Sequence, residues 1–130
     1  MNNKRMSVKE RNLLKGAIRR VFSRSDLRRS AVEVSRVEHK DENRPRVTKW
    51  SKCPVCKEFT PTYKMEVDHI EPIIPLNSSL EDMSWDEVVN RTWCDNKGLV
   101  ALCKLCHIIK TKAENKIRRE HKKKNKGSKR

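Results

Sequence analysis

Between Leu13 and Phe22 apolar residues recur at three- and four-residue spacing (Leu13, Leu14, Ala17, Ile18, Val21, Phe22), and upstream Ser7 and Glu10 stand three apart as in a capping box. The spacing predicts an amphipathic helix. Its other face carries Lys9, Arg11, Lys15, Arg19 and Arg20, so one side packs while the other meets solvent or nucleic acid. Ser23 to Asp26 read as a turn, and Ser30 with Glu33 offers a second capping box ahead of Val34 and Val37. From His39 to Lys49 the run HKDENRPRVTK is polar and aperiodic around Pro45, a linker that lengthens the arm.

Past Trp50 the pattern changes period. Tyr63, Met65 and Val67 alternate with Lys64, Glu66 and Asp68, as on a half-buried strand, which puts Asp68 and His69 at its end. A strand end holds the backbone rigid while side chains reach outward. Ile70 to Gly98 is a long connection with Pro72 and Pro75. In its middle the box SWDE, from Ser84 to Glu87, predicts a short helix from Trp85 to about Arg91. Leu99 to Leu102 make a brief apolar strand, and LCHIIKTKAENKIRR continues as a helix. The closing HKKKNKGSKR has no apolar period and reads as a disordered or solubilising tail. The expected fold class is a small α+β domain with a helical N-terminal extension.

The chain has 130 residues, 35% of them apolar, with three Trp, one Tyr and two Phe, too little to fill a large core without a staple. The formal charge is +15, unevenly spread. Residues 1–52 carry 16 Lys or Arg against 6 acids, residues 53–109 carry 5 against 9, and residues 110–130 carry 11 against 2. A mildly acidic centre between two basic arms suits a middle that collects cations and flanks that collect phosphates. Without a signal peptide or an apolar run of membrane-spanning length, the expectation is a reducing cytoplasm and no membrane.

In that compartment Cys53-Pro-Val-Cys56 and Cys103-Lys-Leu-Cys106 are metal knuckles sooner than disulfides, and four thiolates suit a tetrahedral structural zinc. Cys94, the odd cysteine, reads as a small buried hydrophobe beside Trp93.

EVDHIEPI followed by LVALCKLCHIIKTK resembles the HNH endonuclease family, above all the small free-standing HNH proteins of bacteriophages, whose connecting loop carries an SWDE-type helix and a WC or FC dipeptide, as SWDEVVNR and TWC do here. The resemblance covers residues 53 to about 112. It implies a zinc-stapled ββα-metal core over 53–112, after a basic helical arm and linker at 1–52 and before the helix end and tail at 113–130. It makes His69 the general base, Asp68 and His107 ligands of a catalytic divalent cation such as Mg²⁺ or Mn²⁺, and the four cysteines the ligands of structural zinc. A water that cleaves a phosphodiester must lose a proton, which an imidazole can take near neutral pH, and a cation must offset charge on the phosphate. Lys110 and Lys112 fall where the family's KT segment touches phosphate, or on a solvated helix face. His107, next to a zinc cysteine, has a second reading as a partner of the zinc itself.

The sequence departs from the family at one place. An Asn that fixes the catalytic loop usually stands five residues before the first cysteine of the second knuckle. That position is Gly98, and Asn96 is the nearest amide that substitutes for it. The implied function is metal-dependent cleavage of DNA, bound mainly through the basic arms, in the cytoplasm of a bacterial host if the protein is phage-encoded. The departure keeps open a zinc-containing nucleic-acid-binding module with impaired catalysis. Monomer and homodimer are equally compatible with the sequence.

Overall fold

The computed structural model describes residues 6–128, with side chains to residue 124; the outermost residues of both basic arms lie outside that range. The fold is α+β, with four helices and two small antiparallel sheets.

Helix α1 (Val8–Ser23) opens on the expected capping box: Ser7 Oγ accepts the Glu10 N–H, and Glu10 accepts the Ser7 N–H. The helix leans on the rest of the protein by one edge. Phe22 is buried and Ile18 packs beside Met83, Trp85 and Val88, whereas Leu13 and Val21 stay exposed. Arg11, expected on the free cationic face, is turned inward instead. It donates to the Met6 carbonyl and pairs with Glu81 at 2.9 Å.

Helix α2 (Asp26–Val34) begins earlier than the sequence suggested. Ser25, not Ser30, is the N-cap and accepts the Arg28 N–H, because Ser25 is followed by an acid suited to the positive helix start. Val37 is not helical. It lies in β1 (Arg36–Val37), which pairs antiparallel with β2 (Trp50–Lys52), itself paired with β3 (Phe59–Pro61).

The polar stretch after Val37 therefore brings the chain back rather than lengthening an arm. The His39 ring stacks on Phe59 at 3.9 Å and meets Trp50 edge-on at 4.8 Å. The boundary drawn between residues 52 and 53 runs through this sheet, and α2 packs on the second one.

Pro61 leads into a short 3₁₀ turn over Thr62–Lys64, so the strand expected from Tyr63 starts later, as β4 (Glu66–His69). Tyr63 is exposed, while Met65 is buried as the alternation required. β4 pairs antiparallel with β5 (Leu99–Leu102), placing Asp68 opposite Val100 and His69 opposite Leu99. Between them α3 (Trp85–Thr92) forms where SWDE predicted it, with Ser84 accepting the Glu87 N–H. Arg91 anchors the long connection by donating to the carbonyls of Pro72 and Ile73 at 2.7 and 2.8 Å.

Helix α4 (Lys104–Ser128) runs well past the expected end, through most of the basic tail. Lysine and arginine are good helix formers, and extending a nucleated helix needs no apolar period. No helix among the described residues is long and apolar enough to cross a membrane.

Candidate metal centre and the adjoining cleft

Two small clusters stand out in the core of the described residues: Cys53, Leu102 and Cys106 in one, Met83, Trp85 and Val88 in the other. The first surrounds four sulfurs. The Sγ atoms of Cys53, Cys56, Cys103 and Cys106 all lie within 4.8 Å of one another, and the Cys56–Cys103 separation is 3.7 Å. A disulfide needs about 2.05 Å. A tetrahedron with metal–sulfur bonds of about 2.3 Å separates its sulfurs by about 3.8 Å. The cluster is thus positioned to hold a metal ion, and zinc suits both its chemistry and its dimensions.

The first knuckle turns through Lys57, whose φ of 64° lies in the left-handed region. Its N–H donates to the Cys53 carbonyl at 2.9 Å. The second knuckle starts α4, where the Cys106 N–H reaches the Cys103 sulfur. Burial alone would raise the Cys53 thiol, but N–H groups of Cys103, Cys56 and Val55 outweigh it and bring its pKa down to about 6. Cys106 is pushed up to about 12 by its hydrogen bond with Cys103, by burial and by the other two sulfurs. Crowded thiolates repel one another, and a divalent cation removes that penalty.

Directly beyond the second knuckle, the structure brings Asp68, His69 and His107 to one cleft of about 530 Å³ walled by β4, α4 and α1. His69 sits at the end of β4. Its Nε2 lies 2.7 Å from the Thr92 carbonyl, at the end of α3, and its ring rests against Phe22 at 5.0 Å. A carbonyl only accepts, so Nε2 is the protonated nitrogen and the neutral ring keeps its lone pair on Nδ1. The residues that fix the imidazole thus come from the long connection and from α1, outside the segment that carries the motif.

His107 reaches the same cleft from the first turn of α4. Its Nδ1 lies 2.7 Å from Glu66 Oε2, and its Nε2 faces Asp68 Oδ1 across 3.8 Å. The first contact is at ion-pair distance without the direction of a hydrogen bond, and the second is too long for one. Glu66, which the sequence reading left without a role, thereby holds the Nδ1 side of the ring by charge and leaves Nε2 facing Asp68. The signal was present: residues two apart on a strand share a face, so Glu66 and Asp68 had to point the same way. His107 is engaged by these carboxylates and is not among the four zinc-site residues.

The other Asp68 oxygen, Oδ2, is buried with the Lys110 ammonium 2.6 Å away. The approach lies off a hydrogen-bond direction, so the oxygen is compensated in charge without a directed bond. Lys110 also donates to Glu114 at 3.1 Å and to the His69 carbonyl at 3.2 Å. Burial disfavours its charge, but Asp68 and Glu114 prevail and hold its pKa above the usual lysine value. Lys110 therefore braces the carboxylates, and Lys112 is exposed.

Asn96 is not brought to this cleft. It is exposed on a 3₁₀ turn and lines a separate cavity of about 440 Å³ between α2 and β5. The turn after His69 is tied by backbone instead, the Ile70 N–H donating to the Gly98 carbonyl at 2.8 Å. Position 98 has no room for a side chain, since a Cβ there would stand 2.8 Å from Cys94 Sγ. Burial raises the Cys94 thiol above the ordinary cysteine value. Cys94 therefore fills space against Gly98.

No protein-family model, curated protein or solved structure matches this chain.

Proposed function

We propose that this protein is a metal-dependent endonuclease that hydrolyses phosphodiester bonds in DNA. In this reading β4, β5 and α4 form a ββα-metal core of the HNH kind, and the four cysteines hold a structural zinc. One observation carries it: an imidazole with a fixed tautomer, His69, beside a carboxylate and a second imidazole that face each other across 3.8 Å without bonding. That gap lies within the span of two bonds of about 2.1 Å to one ion, and Lys110 holds the other Asp68 oxygen, so that Oδ1 is the one turned to the gap.

His69 Nδ1 takes a proton from water, and the Thr92 carbonyl stabilises the imidazolium through Nε2–H. The water oxygen forms a bond to phosphorus as the bond to the leaving sugar oxygen breaks, and that oxygen takes its proton from solvent. Asp68 and His107 would hold a divalent cation such as Mg²⁺ or Mn²⁺, which would supply positive charge to the phosphate and the leaving oxygen. Glu66 orients His107, and Phe22 packs the His69 ring in place. The basic flanks, net +10 over residues 1–52 and +9 over residues 110–130, bring DNA to the cleft.

The test is cleavage of supercoiled plasmid with Mg²⁺ or Mn²⁺. His69→Ala is expected to lose about 10²–10⁴-fold in rate while still binding the divalent ion. Asp68→Ala and His107→Ala are expected to lose ion binding together with cleavage. A His69→Ala protein that cuts at the parent rate would overturn the assignment. The second reading, a zinc-containing DNA-binding module without catalysis, draws on the position of Asn96 outside the cleft. It predicts a parent protein that binds plasmid and leaves it intact.

A further inference from the structure

Lys15, Arg19 and Phe22 stand at i, i+4 and i+7 on α1 and so share one face of the helix. All three line the cleft that contains Asp68, His69 and His107. Across it, Arg118 of α4 lines the same cleft and donates to the Ile74 carbonyl at 2.7 Å. Three cationic side chains from two helices thus converge on one mouth, and among the described residues none of the three has a carboxylate partner within ion-pair distance. The arrangement is costly as it stands. Lys15 is half-buried, and burial, Arg19 and Arg118, in that order, all press its pKa below the usual lysine value.

Nothing in the fold explains why like charges gather there. Phe22 and Ile18 already pack α1, and Arg11 already ties it to Glu81. An anion between the three would relieve both the repulsion and the loss of hydration. The anionic groups of Asp68 and Glu114 in the cleft are met by Lys110, so the three cations remain for a ligand. DNA offers phosphates at short regular intervals along each strand, so a strand with one phosphate at His69 presents a neighbour nearby.

We propose that Lys15 and Arg19, with Arg118, form a clamp for a phosphate next to the one that is cleaved. Helix α1 is then one wall of the active cleft, and the strand runs between α1 and α4. This rests on the nuclease reading for which phosphate reacts, but the clamp itself is a binding site and is measured without cleavage.

The experiment compares two double variants in the full chain. Lys15→Gln with Arg19→Gln removes two cations from the cleft. Lys9→Gln with Arg20→Gln removes the same charge from the same helix at positions about 120° and 140° round it from Lys15, outside the cleft lining. Both are made in a His69→Ala background, and fluorescence anisotropy follows a labelled duplex over a range of salt concentrations. The clamp variant is expected to bind at least about tenfold more weakly, with the log K against log salt slope shallower by about 2, since each phosphate left without its cation removes about 0.9 from the slope. The control is expected to change far less.

Because repulsion is removed, the clamp variant is expected to melt no lower than its parent, so weaker binding cannot come from damage to the fold. With His69 restored, hydrolysis of bis(p-nitrophenyl) phosphate, which has no neighbouring phosphate, is expected to fall far less than cleavage of duplex DNA. Equal losses of affinity and slope in both variants would overturn the clamp. So would a clamp variant that loses duplex and small-substrate hydrolysis in equal measure. If the parent cuts nothing, the nuclease reading fails while the anisotropy comparison still decides the clamp.

Discussion

Gly98 and Cys94 form a pair whose coupling has a sign that can be worked out in advance. A Cβ at position 98 would lie 2.8 Å from Cys94 Sγ and 3.3 Å from Cys94 Cβ, against ordinary contacts of about 3.5–4.0 Å. Rotating the thiol relieves only the first overlap. Gly98→Ala is therefore an overpacking change, expected to cost about 1–3 kcal/mol. With an unfolding entropy of about 2.1 cal/mol/K per residue, each kcal/mol moves Tm by about 4 °C for a chain of this size, so the expected fall is about 4–12 °C. In a Cys94→Ala background the 2.8 Å overlap with sulfur is gone and only the 3.3 Å contact with the β-carbon remains. Gly98 is outside the left-handed region, so alanine there stiffens the unfolded chain without backbone strain and contributes about 0.4–1 kcal/mol of stability. The same substitution should thus destabilise the parent and cost much less, close to neutral, beside Cys94→Ala, where a tight contact with the β-carbon offsets the gain. Thermal melts of the four proteins with saturating zinc measure the coupling. An equal cost of Gly98→Ala in both backgrounds would refute the steric account. Since the Gly98 carbonyl holds the Ile70 N–H beside His69, plasmid cleavage should follow the same rescue.

Chelation of zinc is expected to abolish the cooperative melt, because binding worth about 10–16 kcal/mol in small zinc domains matches or exceeds the whole stability of a typical one; an unchanged Tm after chelation would refute the metal assignment. Cys106, pushed up to about 12, must give up its proton to bind, so zinc uptake is expected to release protons and weaken as pH falls, as titration in weakly buffered solution can record. Lys57→Gly relieves a left-handed φ of 64° and is expected to raise stability by about 1 kcal/mol, about 4 °C in a thermal melt; a lower Tm would mean that the Lys57 side chain contributes to the fold. Glu66→Ala is expected to weaken divalent-ion binding or cleavage by about 10–100-fold with zinc content unchanged. Parent-level binding and rate in that variant would remove Glu66 from the site.

What was legible in the sequence was local. Ser7 with Glu10 and Ser84 with Glu87 each announce a helix start within four residues, and the two Cys-x-x-Cys pairs carry their spacing on their face. The strands β4 and β5 followed from alternation and from the apolar run at Leu99, and their pairing only from the family resemblance. What was missed depended on partners distant in sequence. β1 is two residues long and has no pattern of its own, existing only because β2 pairs with it. His39 looks like linker until Phe59 and Trp50 come beside it. The cationic face of α1 reads as solvated because nothing in its periodicity separates Arg11, which is tied to Glu81, from Lys15, which lines the cleft. Glu66 alone was within reach of a local rule, through its shared face with Asp68.

The three walls of the cleft are fixed by three different forces, and this decides how damage spreads. β4 is set by its ladder to β5, which places Asp68 and His69 through backbone hydrogen bonds. α1 is set by packing at its last turn, where Phe22 meets both the His69 ring and Trp93. α4 takes its start from the second knuckle, with His107 directly after Cys106, so the position of His107 depends on the four sulfurs. Both the four-cysteine cluster and the 3.8 Å gap between His107 and Asp68 therefore hang on the first turn of α4. A change at Cys53 or Cys56, far from His107 in sequence, shifts that turn through the metal. Loosening at Phe22 instead leaves the His107–Asp68 gap intact and frees the His69 ring. On the proposed nuclease reading the two kinds of damage separate experimentally: the first is expected to weaken divalent-ion binding before cleavage, and the second to slow cleavage with the ion still bound.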